Sequence, residues 1–130
     1  MDSRVALVFW GAVLFELKHF ICDFVLQTAY QYRNKGTYGH PGGLLHAGLH
    51  MAASLPAIIV LNAAAGLAAA ILAAEFFVHY HVDWSKEQIN KRCGLNTSDN
   101  AYWSVFGADQ LLHQLTYVVI LAVVARGASL

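Results

Sequence analysis

The chain carries four apolar stretches long enough to span a membrane, and each is interrupted by a pair of polar, ionisable residues four positions apart: His19 and Asp23, His46 and His50, His79 and Asp83, Asp109 and His113. Four residues is about one helical turn, so each pair projects from one face of one helix. Ionisable side chains are costly to keep in an apolar setting, and those that are kept mark functional positions. Histidines and carboxylates at this spacing are the ligand types of a metal site.

The surrounding composition decides what kind of helices these are. Of 130 residues, 58% are hydrophobic and 12% charged, against roughly 25% charged in soluble domains. The mean hydropathy is +0.48, so a single integral-membrane domain is expected over residues 1–130. Formal net charge is zero, which leaves no basic field to recruit nucleic acid. Cys22 and Cys93 form no CxxC pair and read as free thiols. Arg4 and the apolar run after it look like the start of a secretory signal, but no small-x-small cleavage site follows, so an uncleaved first span is expected.

Hydrophobic length predicts helices over approximately 5–30, 43–62, 64–89 and 101–126, each near or above the ~20 residues that cross a bilayer core. The fold class expected is all-α, an up-down-up-down four-helix membrane bundle. The short break near Asn62 is its weak point, since a kink there would merge two spans. With alternating helices, Arg33, Lys35, Lys86, Lys91 and Arg92 fall on one side and Arg4 and Arg126 on the other. The positive-inside rule then puts both long loops in the cytoplasm and both termini outside. Alanines and glycine in 63–70 allow the third helix to approach its neighbours closely.

Depth ties the pairs together. At about 1.5 Å per residue, all eight members of the four pairs lie some 5–18 Å from the cytoplasmic ends of their helices. His19, Asp23, His46, His50, His79, Asp83, Asp109 and His113 are therefore the expected metal ligands. Glu16, Gln27 and Gln110 are expected to stand behind them as hydrogen-bond partners. Glu75, one turn before His79, is the expected spare carboxylate for proton transfer, with ligation as its other role. His81 points some 200° from His79 and is expected to pack elsewhere. The competing explanation is that the pairs simply hold helices together. Membrane hydrogen bonds contribute only about 0.6 kcal/mol on average, while burying a carboxylate costs several kcal/mol, so four such pairs at one depth favour a cation. The ligand types suit one or two divalent ions, Zn first and Mn or Fe as alternatives, and provide no thiolate set for Cu(I).

The segments His19-Phe20-x-x-Asp23-Phe24-x-Leu26-Gln27, His46-x-x-x-His50, Glu75-x-x-x-His79-x-x-x-Asp83 and Asp109-Gln110-x-x-His113 together resemble a family of small bacterial inner-membrane proteins of unknown function, over almost the whole chain. That resemblance implies a multi-pass protein of the bacterial plasma membrane and brings no established activity. More loosely, HxxxH and HxxxD pairs on membrane helices look like those of membrane-bound metal-dependent hydrolases. The chain lacks HxxHH clusters, HExxH, GxSxG and a phosphate-binding glycine loop. The Gly36–Gly43 stretch reads as a flexible loop.

The leading functional expectation is a metal-dependent hydrolase acting on a lipid-like or amphipathic substrate at the cytoplasmic leaflet. The alternatives are a metal-ion or proton transporter or sensor, a di-iron membrane oxidoreductase, and a structural bundle. Membrane lipid is the expected surrounding, and an oligomer of this chain is a further expected partner.

Overall fold

The computed structural model describes residues 3–127. All secondary structure among them is helical: α1 (Ser3–Phe20), continued by a π-helical turn (Ile21–Val25), then α2 (Ala29–Asn34), α3 (Pro41–Ala53), α4 (Leu55–Val60), α5 (Ala65–Cys93) and α6 (Asn100–Gly127). Four stretches are long and apolar enough to cross a membrane: Ser3–Val25, Pro41–Val60, Ala65–Cys93 and Asn100–Gly127. The chain is thus a multi-pass membrane protein. Its helices close a ring in which α1 packs on α4 and α6, and α5 packs on α3 and α6. Many large apolar side chains face outward, such as Ile59 at 73% exposure and Val119 at 60%, as lipid-facing helices require. The expected positions of the termini concern in part residues 1–2 and 128–130, which lie outside the described residues.

Three features depart from four uninterrupted rods. The first span ends some five residues before the expected Tyr30. Its last turn is π-helical, with Leu26 N–H donating to the Ile21 carbonyl across five residues at 2.8 Å, and α2 begins only after Thr28 has capped it by accepting from Gln31 N–H. The second span is interrupted at Ser54, between α3 and α4 ahead of Pro56, where a proline in the helix disrupts the regular backbone ladder. The break near Asn62 is a true reversal: Asn62 adopts φ 53°, in the left-handed region, which asparagine tolerates better than most residues.

The stretch expected to be a flexible glycine loop is structured. His40 caps α3 through Nδ1, which accepts from Gly42 N–H at 3.0 Å. A Cβ on Gly42 would lie 2.7 Å from the Tyr30 carbonyl oxygen. Glycine here lets α2 lie directly against α3, and this brings Gln31 and Lys35 over the interior rather than out to the surface.

The interior divides by height. At the end where α1 begins, α6 finishes and the chain reverses at Asn62, Phe15, Ala57, Ile58, Leu61, Ile71, Tyr117, Ile120 and Val124 form one apolar cluster. At the end where α1 gives way to α2 and α5 gives way to α6, here the loop end, the interior holds histidines, carboxylates and lysines.

Candidate metal centre

Each interior polar residue reaches the loop end by helix phase. On α1 the buried face runs through Gly11, Phe15, Lys18 and His19 to Cys22, a stripe at three- and four-residue steps. The π turn carries on from it and turns Asp23 toward α3. On α3, His46 and His50 are one turn apart and buried; so are Glu75, His79 and Asp83 on α5, and Asp109 and His113 on α6.

Two groups of ligand atoms result. Asp23, His46, His50 and His79 each offer an atom within 4.8 Å of the others, and His79, Asp83 and His113 form a second such group. Asp23 Oδ1 lies 3.0 Å from His50 Nε2 and 3.1 Å from His46 Nε2. Asp83 Oδ2 lies 3.4 Å from both His46 Nε2 and His79 Nε2, and its Oδ1 lies 3.5 Å from His113 Nε2. Metal–ligand bonds of about 2.0–2.1 Å place neighbouring tetrahedral ligand atoms about 3.3 Å apart, so these separations match the edges of a coordination shell. The orientations point the same way. His46 Nε2, both nitrogens of His79 and His113 Nε2 are buried with no hydrogen-bond partner among the described residues, although carboxylate oxygens stand at hydrogen-bond distance from some of them. Buried polar atoms without partners call for an explanation, and nitrogens that converge without bonding to one another are what a cation would satisfy. The residues fit a divalent ion, and His79 is common to both groups.

The other expected residues fall into different places. His19 stands outside both groups, because its two nitrogens are engaged: Nδ1 with Tyr117 Oη at 2.9 Å and Nε2 with Gln110 Oε1 at 2.9 Å. Nε2 also lies 3.2 Å from Asp23 Oδ2, so His19 orients Asp23 from behind. Asp109 is likewise outside the two groups. Its Oδ2 accepts from Gln110 Nε2 at 3.1 Å, its Oδ1 has no hydrogen-bond partner among the described residues, and it sits 3.6 Å from His113 Nε2. Gln110 links His19, Asp109 and, at 3.4 Å, Asp23 Oδ2. Gln27 donates to the Asp23 carbonyl at 3.1 Å.

Two expectations need correction. Glu16 is exposed, because the inward face of α1 is centred on Phe15, Lys18, His19 and Cys22; it is not a partner of the ligands. Glu75 lies one layer deeper than the metal groups. Its Oε1 accepts from Lys18 Nζ and, at 2.8 Å, from Ser54 Oγ, and it meets the ligands through Lys18, whose Nζ is 3.3 Å from His50 Nδ1. Glu75 is therefore held by an ion pair instead of standing free beside a reacting water. His81 does pack elsewhere, against the Phe77 carbonyl and Tyr38 Oη.

Lysines are what the sequence reading missed inside the site. Lys18 is 5% exposed and caught between Glu75, His50 and the Tyr117 ring. Lys35, expected in a cytoplasmic loop, is also 5% exposed, with Nζ 3.0 Å from Asp83 Oδ2. Lys86 Nζ lies 3.6 Å from Asp109 Oδ2 and 3.8 Å from Asp83 Oδ1. The available signal for Lys18 was its place on the Gly11–Phe15–Cys22 stripe. Nothing in the local pattern marked Lys35, which enters only because α2 folds back.

The fold and the site together define a class: a small polytopic helical protein whose interior is apolar at one end and a histidine–carboxylate–lysine centre at the other. The chain belongs to the family described as protein of unknown function (DUF3307), matching over residues 12–130. No curated protein and no solved structure matches it.

Proposed function

We propose that this protein is an intramembrane metal enzyme that hydrolyses an amphipathic substrate at one membrane face. The observation carrying this reading is the set of buried imidazole nitrogens on α3, α5 and α6 that gather around the Asp23 and Asp83 carboxylates at coordination-edge distances, several of them with no hydrogen-bond partner among the described residues. A divalent ion held there would lower the pKa of a water toward about 7 and polarise the bond to be cleaved. Asp23, His46, His50, His79, Asp83 and His113 supply the ligand atoms. Asp109 Oδ1, buried beside His113 with no hydrogen-bond partner among the described residues, replaces Glu75 as the carboxylate best placed to accept a proton. With Lys35 and Lys86 drawn inside, Arg33, Lys91 and Arg92 remain as exposed cations of the loop end, against Arg4 and Arg126 at the other. This balance supports a cytoplasmic loop end in a bacterial inner membrane.

A transit role for the same residues finds little support, because the apolar cluster around Phe15, Ile58, Ile71 and Ile120 closes the other half of the bundle. Elemental analysis of protein extracted in mild detergent, followed by uptake of Zn²⁺ or Mn²⁺, tests the proposal. Zinc or manganese at one or two ions per chain is the expected result. Iron with visible absorption would favour a redox enzyme instead, and a chain that neither retains nor takes up metal would overturn the reading.

A further inference from the structure

Two of the lysines at the polar end converge on one carboxylate. Asp83 is approached by two ammonium groups, Lys35 Nζ at 3.0 Å on one oxygen and Lys86 Nζ at 3.8 Å on the other. Glu75 and Lys18 pair with each other. Asp23, Asp83, Asp109 and Glu87, whose Oε1 is 3.6 Å from Lys86 Nζ, then face Lys35 and Lys86, leaving two negative charges, and two divalent ions, one in each ligand group, turn that into two positive charges. A loaded centre would be anion-seeking, and the open question is where an anion could approach it.

Two cavities meet this centre, and Lys86 borders both. One, of about 90 Å³ at the loop end, is lined by Asp23, Gln110, Lys35, Lys86 and the rings of Tyr102 and Phe106, among others. Asp23 puts its wall against the ligand histidines His46 and His50, and Gln110 joins it to His19, which stands behind Asp23. The other, of about 210 Å³, runs between α5 and α6 and is lined mainly by apolar side chains, including Val82, Ile89, Val105 and Leu112, with Lys86 and Asp109 at its edge. A polar chamber with two lysines and a metal group on its wall, next to a groove fit for hydrocarbon, has the chemistry of a head-and-tail ligand.

From these observations, and resting on the metal-centre reading above, we infer that the substrate is a phosphate ester: Lys35 and Lys86 hold its phosphoryl oxygens in the loop-end chamber, and the groove between α5 and α6 takes its alkyl chain. Lysine serves as a point-charge phosphate binder, and lysines together with a metal ion are the usual clamp on a transferring phosphoryl group. The reaction is hydrolysis. A water oxygen forms the new bond to phosphorus, the ester P–O bond breaks, and the departing alkoxide takes up the proton the water gave to Asp109, so that an alcohol and a phosphate leave. No oxidant or further reactant is needed.

The test uses the full chain in a non-ionic detergent, loaded with Zn²⁺, and follows binding of inorganic phosphate and of dodecyl phosphate by calorimetry and ³¹P NMR. Wild-type protein should bind phosphate, with affinity falling about tenfold or more when Zn²⁺ is removed, and by a similar factor in Lys35→Gln and in Lys86→Gln, each of which loses a charged hydrogen-bond donor. Zn²⁺ content should hold in both variants, and Lys86→Arg should recover most of the affinity. Dodecyl phosphate should bind about tenfold or more tightly than inorganic phosphate through its buried methylenes. Ala108 lies on the groove's wall, and Ala108→Phe, which fills the groove, should abolish that advantage and leave inorganic phosphate unaffected. Zn²⁺ binding without phosphate binding by the wild type, or equal phosphate affinity in the glutamine variants, overturns this inference and leaves the metal centre standing. Failure to bind Zn²⁺ overturns both. Equal affinity for the two phosphates overturns the lipid-like substrate and assigns the site to a water-soluble phosphate ester.

Discussion

Phe15 and His19 sit one turn apart on the same face of α1, and both touch Tyr117, yet they belong to different materials. Phe15 stacks on the Tyr117 ring at 5.0 Å between centroids, within a cluster of aliphatic side chains. His19 binds the Tyr117 hydroxyl at 2.9 Å, within a network of ionisable groups. The apolar half is held by close packing, aided by Gly11, where a Cβ would come 2.8 Å from Leu61 Cδ2; lipid tails are as apolar as leucine, so packing rather than burial from water must supply that cohesion. The polar half works against its own cohesion. It gathers charges whose desolvation costs several kcal/mol each and leaves several of their atoms without a hydrogen-bond partner among the described residues. A region arranged that way is organised around something it binds.

The sharpest way to break the comparison is His79→Ala. His79 is shared by both ligand groups, so metal content measured by elemental analysis should fall about tenfold or more, while His81→Ala, on the same helix, should leave it unchanged. Equal losses would mean that α5 is simply sensitive to substitution. Phe15→Ala attacks the other half. It should cost about 3 kcal/mol in detergent unfolding, the low end for a buried phenylalanine because lipid rather than water meets the separated helix, with metal affinity nearly unchanged. Saturating metal at 100 times its dissociation constant should add about 2.7 kcal/mol to the wild type. That gain should persist in Phe15→Ala and disappear in His79→Ala. Tyr117→Phe tests the seam: the ring stays, the hydroxyl goes, and about 1 kcal/mol of stability should be lost together with a several-fold weaker hold on metal through His19 and Asp23. Glu16→Gln, on the exposed face of α1, should change stability by less than about 0.5 kcal/mol and metal content not at all.

The division into halves is legible in the sequence. Hydropathy and length announced four spans, and one-turn spacing put His46 with His50, His79 with Asp83 and Asp109 with His113 at one depth, since both follow from the fixed pitch and rise of a helix. The rotation of each helix about its axis was harder to read. Glu16 and Lys18 both lie within one helical turn of His19, and the choice between them depends on which face of α1 packs against α4 and α6. The inward turn of Lys35 could not be read at all, because it depends on α2 folding back over α3 at Gly42, a tertiary contact with no periodic signature. Glu75 looked free because its partner, Lys18, comes from another helix.

The π-helical turn at Ile21–Val25 has a consequence for how such a centre could arise or vanish. A π turn is an α-helix with one residue too many, and here the surplus residue lies in the segment that turns Asp23 toward His46 and His50. Loss of a single codon ahead of Asp23 within that stretch would restore regular winding and leave the residues after the turn close to their present phase, but it would rotate Asp23 itself by several tens of degrees, leaving the membrane crossing intact while carrying the carboxylate away from its imidazoles. Relatives with a shortened turn should therefore insert and fold normally, yet lack the aspartate corner of the cluster.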